Sequence, residues 1–118
     1  MSAILLWVGV AVIGGLGALA RVFLSDSVAL HAGRAELGVA AVNVTGAFLL
    51  GLLFSAHGGE TLKLLAGTAL LGSYTTFSGW QLAARGLVRD GESARARALV
   101  AGTLVAGVAA AWIGVALG

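Results

Sequence analysis

Four stretches of this chain carry no charged residue at all: Met1–Ala20, Leu37–Ala56, Leu64–Ala84 and Ala98–Gly118. Each is 20 or 21 residues long, the length a helix needs to cross roughly 30 Å of hydrocarbon. The separators Arg21–Glu36, His57–Lys63 and Arg85–Arg97 hold all the charge. Only 10% of the chain is charged and 59% is hydrophobic, where a soluble domain would be about a quarter charged. The expected fold is therefore all-α and integral to a membrane. It is a single four-span domain over residues 1–118, with spans at about 3–24, 37–56, 62–86 and 96–117. Four spans put both termini on one side. No Lys or Arg precedes the first apolar run, so a bacterial signal peptide is not expected. The absence of cysteine removes thiolate metal sites and disulfides. A net charge of +2 gives nucleic-acid binding no support.

The third run contains Gly72-Ser73-Tyr74-Thr75-Thr76-Phe77-Ser78-Gly79-Trp80. Two glycines, two serines and two β-branched threonines weaken helix preference there. Backbone groups freed inside hydrocarbon cost several kcal/mol each unless something satisfies them. The composition thus predicts a helix opened near 72–77 that binds something at mid-membrane. Carbonyl and hydroxyl oxygens suit a hard cation, and without a nearby carboxylate a monovalent one is preferred. Phe77 and Trp80 stand three residues apart, and electropositive ring edges can solvate an anion, although such a pair also serves simple packing.

The other runs add fewer polar groups. Asn43, in the second, faces another helix or a cavity. Arg21 either snorkels at the end of the first span or projects into a wet vestibule. Small residues at helical spacing predict close helix contacts: Gly14 with Ala18, Gly46 and Ala47 with Leu50 and Gly51, Thr103 with Gly107 and Ala111, and Ala106 with Ala110 and Gly114. His31 and His57 read as solvated loop residues. The arginines of the third separator, Arg85, Arg89, Arg95 and Arg97, read as an ordinary cytoplasmic loop rather than a lipid-specific site.

Gly14-Gly15-Leu16-Gly17-Ala18-Leu19-Ala20-Arg21, Val42-Asn43-Val44-Thr45-Gly46-Ala47-Phe48 and Thr75-Thr76-Phe77-Ser78 follow one another in this order. Together, across essentially the whole chain, they resemble the fluoride channels of the CrcB/Fluc family. The resemblance implies subunits paired antiparallel, with the third helix broken at mid-membrane. Polar tracks through the dimer would pass F⁻ out of the cytoplasm passively and confer fluoride resistance at the plasma membrane. It further implies a structural Na⁺ at the dimer centre, held by the backbone carbonyls of Gly72 and Thr75. Phe77 matches the first aromatic of the family's phenylalanine box, Asn43 its polar neighbour, and Arg21 the vestibule arginine. Thr76, Ser78 and Thr103 would complete the anion pathway.

The chain departs from that pattern in its fourth span, where Thr103 is the only hydroxyl, and in two further features. The family runs Thr-Thr-Phe-Ser-Thr-Phe, whereas Gly79-Trp80 follows here, so Trp80 replaces the second phenylalanine. It either presents an edge or its indole N–H to the anion, or blocks one track. Arg34, Arg85, Arg89, Arg95 and Arg97 also crowd one side of the spans against Lys63 on the other. The positive-inside rule then favours one orientation with both termini outside. The partner is accordingly either a second copy inverted in the membrane or an oppositely oriented paralogue. A small multidrug exporter is the first rival, but this chain lacks the intramembrane acid that such an exporter needs. A packing-only assembly subunit and an enzyme explain fewer of these residues.

Overall fold

In a computed structural model, described over residues 2–56 and 58–118, every regular element is helical. His57 lies outside the described residues. The first helix, Ala3–Ala32, has 30 residues and is roughly 45 Å long. Ser2 caps its start by accepting from the Leu5 N–H at 3.3 Å. The helix does not stop at Arg21 but runs on through Asp26 and His31. Its end is Gly33, whose φ of 69° is left-handed and whose N–H reaches the Ala29 carbonyl, a conformation glycine adopts without a Cβ penalty. His31 is thus in the last helical turn rather than a loop, and its Nδ1 lies 2.8 Å from the Ser27 carbonyl.

Only Gly33 and Arg34 separate this helix from the second, Ala35–Ser55. The third apolar run is helical in pieces. Glu60–Leu62 opens it, Lys63–Leu71 widens into a π-helix, and Gly72–Tyr74 returns to α geometry. Thr75 (φ −77°, ψ 153°) and Thr76 (φ −145°, ψ 109°) are extended, and a second arm, Phe77–Arg89, follows. The last helix, Ser93–Leu117, is reached through a turn at Gly91, φ 77°. Three helices, Ala3–Ala32, Ala35–Ser55 and Ser93–Leu117, are long and apolar enough to cross a membrane. With the two-armed third run, four helical passes fit.

In lipid, apolar side chains gain little by leaving the hydrocarbon, so helices associate through close backbone approach and polar contacts. The second and last helices share the most extensive interface, and glycines make it. A Cβ on Gly51 would overlap the Ala111 carbonyl, and one on Gly114 would overlap the Phe48 carbonyl. On the first helix the close approach falls at Gly17, not Gly14, with the Leu70 carbonyl and Ser73 Oγ in the way of any side chain. Gly107 meets nothing nearby, so of the Thr103–Gly107–Ala111 face, expected to pack closely, only the Ala111 end does so, and the rest lines an open groove. Small cores form around Val42, Leu71 and Tyr74, and around Leu87, Ala96 and Leu99. Large side chains such as Phe23 and Trp112, 73% and 72% exposed, point outward, as lipid allows.

One end of the bundle is tied by charge. Glu36, only 6% exposed, accepts from Arg34 Nε at 3.1 Å and from the Arg95 guanidinium. Nothing in the sequence around Glu36 marks it as a partner of Arg95, since the pair is 59 residues apart.

Candidate functional site

Two extended residues inside an apolar helical pass raise an accounting question: each backbone N–H and C=O there needs a partner. Asn43, projecting from the second helix, answers it for Thr76. Its Oδ1 accepts from the Thr76 N–H at 2.8 Å, and its Nδ2 donates to the Thr76 carbonyl at 3.0 Å. Flipping the amide would set like against like in both bonds, so the network fixes its orientation. One Nδ2 hydrogen remains uncommitted.

Neighbouring side chains brace the same region. Thr76 Oγ1 accepts from the Gly79 N–H at 3.0 Å and so caps the second arm. Thr75 N–H and Oγ1 both reach the Leu71 carbonyl, at 3.0 and 3.1 Å. Ser73 Oγ sits 2.6, 2.7 and 3.1 Å from the carbonyls of Ala69, Gly14 and Leu70, joining this region to the first helix. Tyr74 is buried. Its phenol donates to Thr45 Oγ1 at 2.8 Å, because the Thr45 hydroxyl is itself directed at the Ala41 carbonyl. The first arm ends at Tyr74 with its last carbonyls lacking intrahelical partners, and Thr75 takes up that of Leu71. The negative end of one helix and the positive end of the next therefore face each other across Thr75 and Thr76.

A groove of about 420 Å³ runs from this point between the second, third and last helical passes. Asn43, Thr75, Thr76, Phe77, Trp80 and Thr103 all line it, with Ala47, Leu50, Leu104, Gly107, Val108 and Ala111 supplying apolar wall. Thr103 Oγ1 is buried and has no hydrogen-bond partner among the described residues, although hydroxyls so placed are usually paired. Phe77 and Trp80 meet edge to face, centroids 5.4 Å apart and planes at 61°. Phe77 is 68% exposed. The Trp80 indole N–H is turned towards the Leu99 carbonyl at 3.5 Å, so it is not offered to the groove.

Not every expected residue gathers there. Arg21 is half-buried on the first helix and lies outside the groove lining. Ser78 is exposed in the first turn of the second arm, and Gly72 is exposed before the extended residues. The Thr45–Tyr74 bond escaped sequence reasoning. Its only signal in the sequence is a hydroxyl two residues after Asn43, within the Val42–Phe48 motif.

Three helices long and apolar enough to cross a membrane, a further two-armed apolar run, and a groove lined in part by polar side chains where that run is extended define a multi-pass membrane protein. A model of the family described as CrcB-like protein, Camphor Resistance (CrcB), matches residues 8–115. The chain belongs to this family. Relatives include a protein of Mycolicibacterium paratuberculosis named fluoride-specific ion channel FluC 2, 43% identical over 97% of this chain and 94% of the relative. The FluC 2 of Mycobacterium bovis is 41% identical over 92% of this chain and 87% of its own length. The FluC 1 of Geobacillus kaustophilus is 36% identical over 92% and 94%.

Proposed function

We propose that this chain is a subunit of a passive, fluoride-selective channel of the plasma membrane, through which F⁻ leaves the cytoplasm. The observation that carries the reading is the groove beside Thr75 and Thr76, where Asn43, Thr103 and Phe77 converge on the start of a helix. Fluoride holds its water tightly, so a pathway must replace hydration with donors and positive ring edges. The free Asn43 N–H, the orphan Thr103 hydroxyl, the first N–H groups of the Phe77–Arg89 arm and the Phe77 edge are of that kind. The Thr76 side chain holds the arm's start in place, Ser78 offers its hydroxyl one residue on, and Trp80 forms the wall. Arg21 gathers anions at the mouth.

The interruption lies at mid-membrane in this reading, and two subunits pair antiparallel across it. The exposure of Phe77, Ser78 and Gly72 on a single chain suits residues completed by a partner. A structural Na⁺ fits the donor set. The carbonyls of Gly72, in the last turn of the first arm, and of Thr75, just past it, are hard oxygen ligands at the negative end of a helix. The ion would supply positive charge near the groove. The arginine excess at one end of the spans favours a fixed orientation, and with it an oppositely oriented paralogue as partner.

Fluoride efflux from liposomes containing only the purified chain, with chloride as control, tests the proposal. Selective F⁻ efflux is expected from the chain alone if it self-pairs, and after co-expression if it needs a paralogue. Phe77→Ile should abolish that efflux while dimers still assemble. Silence in both preparations of a folded protein sinks the channel reading.

A further inference from the structure

A second groove, larger than the first at about 950 Å³, opens between the Phe77–Arg89 arm and the last helix where the Gly91 turn joins them. Its construction is two-faced. Ala84 and Val88 are one turn apart on the arm and face Val100 on the last helix, which makes an apolar floor. Arg85 and Arg89, the next residues round the arm, and Arg97 across the gap make a rim. Among the described residues none of these three guanidiniums forms an ion pair, whereas Arg34 and Arg95 are both spent on Glu36. Three unneutralised cations at the edge of an apolar trough, in a protein surrounded by lipid, need a ligand with a phosphate at one end and hydrocarbon at the other.

We infer that this groove is a binding site for an anionic phospholipid, its phosphate held by Arg85, Arg89 and Arg97 and an acyl chain lying on the Ala84–Val88–Val100 floor. Trp80 closes the inner end and also walls the first groove, so the lipid would abut the channel wall without entering it. Free inorganic phosphate would find the rim but have no use for the floor. The site does not depend on the conducted ion, and a failed efflux assay would leave it standing.

The test is native mass spectrometry of the full chain released from vesicles of equal phosphatidylglycerol and phosphatidylcholine. Retention of phosphatidylglycerol over phosphatidylcholine by roughly tenfold or more is expected, the scale set by three basic side chains at an anionic headgroup. The triple variant Arg85→Gln, Arg89→Gln, Arg97→Gln should lose the preference. Ala101→Trp, which fills the groove without altering charge, should lower retention by itself. Equal retention of both lipids, or a preference untouched by either variant, overturns the site. So does displacement of the lipid by millimolar inorganic phosphate alone, which would leave the floor without a role. Quantitative disulfide pairing of a Val100→Cys variant in membranes would show a second copy covering the groove, and would overturn it as well.

Discussion

Asn43 carries two duties with one amide. It satisfies both backbone groups of Thr76, and it keeps one N–H for the groove. Asn43→Asp separates them: the carboxylate can still accept from the Thr76 N–H, but it cannot donate to the Thr76 carbonyl and places negative charge in the proposed anion pathway. Fluoride efflux should fall to background, and the unfolding midpoint in detergent should drop, since an unpaired backbone carbonyl costs about 1–3 kcal/mol. Undiminished efflux would remove Asn43 from the pathway. Trp80 calls for the opposite expectation. Its N–H is directed at Leu99, so what the indole adds to the groove is bulk. Trp80→Phe should leave efflux intact or raise it several-fold, at a cost of about 1 kcal/mol for the lost hydrogen bond. Loss of efflux in liposomes would show that the indole itself is needed. Asn43 was legible as a polar residue in an apolar span, because such residues are expensive without a purpose. Its partner was not, because Thr76 lies 33 positions away and nothing local links them.

The elements are joined where backbones nearly touch, and that makes glycines unequal. Gly51 and Gly114 press on the carbonyls of Ala111 and Phe48, while Gly102 on the same last helix meets nothing. Gly51→Val should force the second and last helices apart and destabilise by about 1–3 kcal/mol. Gly102→Ala should stabilise by about 0.5–1 kcal/mol through helix propensity. Thermal unfolding in detergent compares the two. A Gly102→Ala variant that is less stable would mean that another chain covers that surface. Small-residue spacing pointed to the close interface but did not say which glycine makes it, since Gly14, Gly17, Gly107 and Gly114 look alike in sequence. The first helix outruns its charge-free stretch for a related reason. Charge at Arg21 marks where hydrocarbon ends, whereas a helix ends where its backbone can be capped, at Gly33.

At the scale of the molecule, the helical multi-pass membrane class was legible because placing a charged residue in hydrocarbon is costly, and charges therefore fall between spans. Thr75 and Thr76 fall within the nine residues whose composition disfavours helix. The two grooves were not legible, since each combines residues from different passes. Orientation remains the sharpest expectation at this scale. Reporters fused to either terminus should lie outside in nearly all molecules, as six arginines against one lysine imply. Equal labelling from both sides would instead establish an inverted self-pair and exclude the need for a paralogue.

The clasp between Asn43 and Thr76 also bears on how such a sequence can change over time. Asparagine is the side chain of that reach offering one acceptor and two donors together. Glutamine overshoots by a methylene, and aspartate, threonine and serine each lack a bond. Every single-step replacement therefore forfeits either the shape of the extended turn or the hydrogen left for the groove. Position 43 has no neutral neighbours, and a lineage could drift freely along the lipid-facing surfaces of all four passes while this one residue stood still.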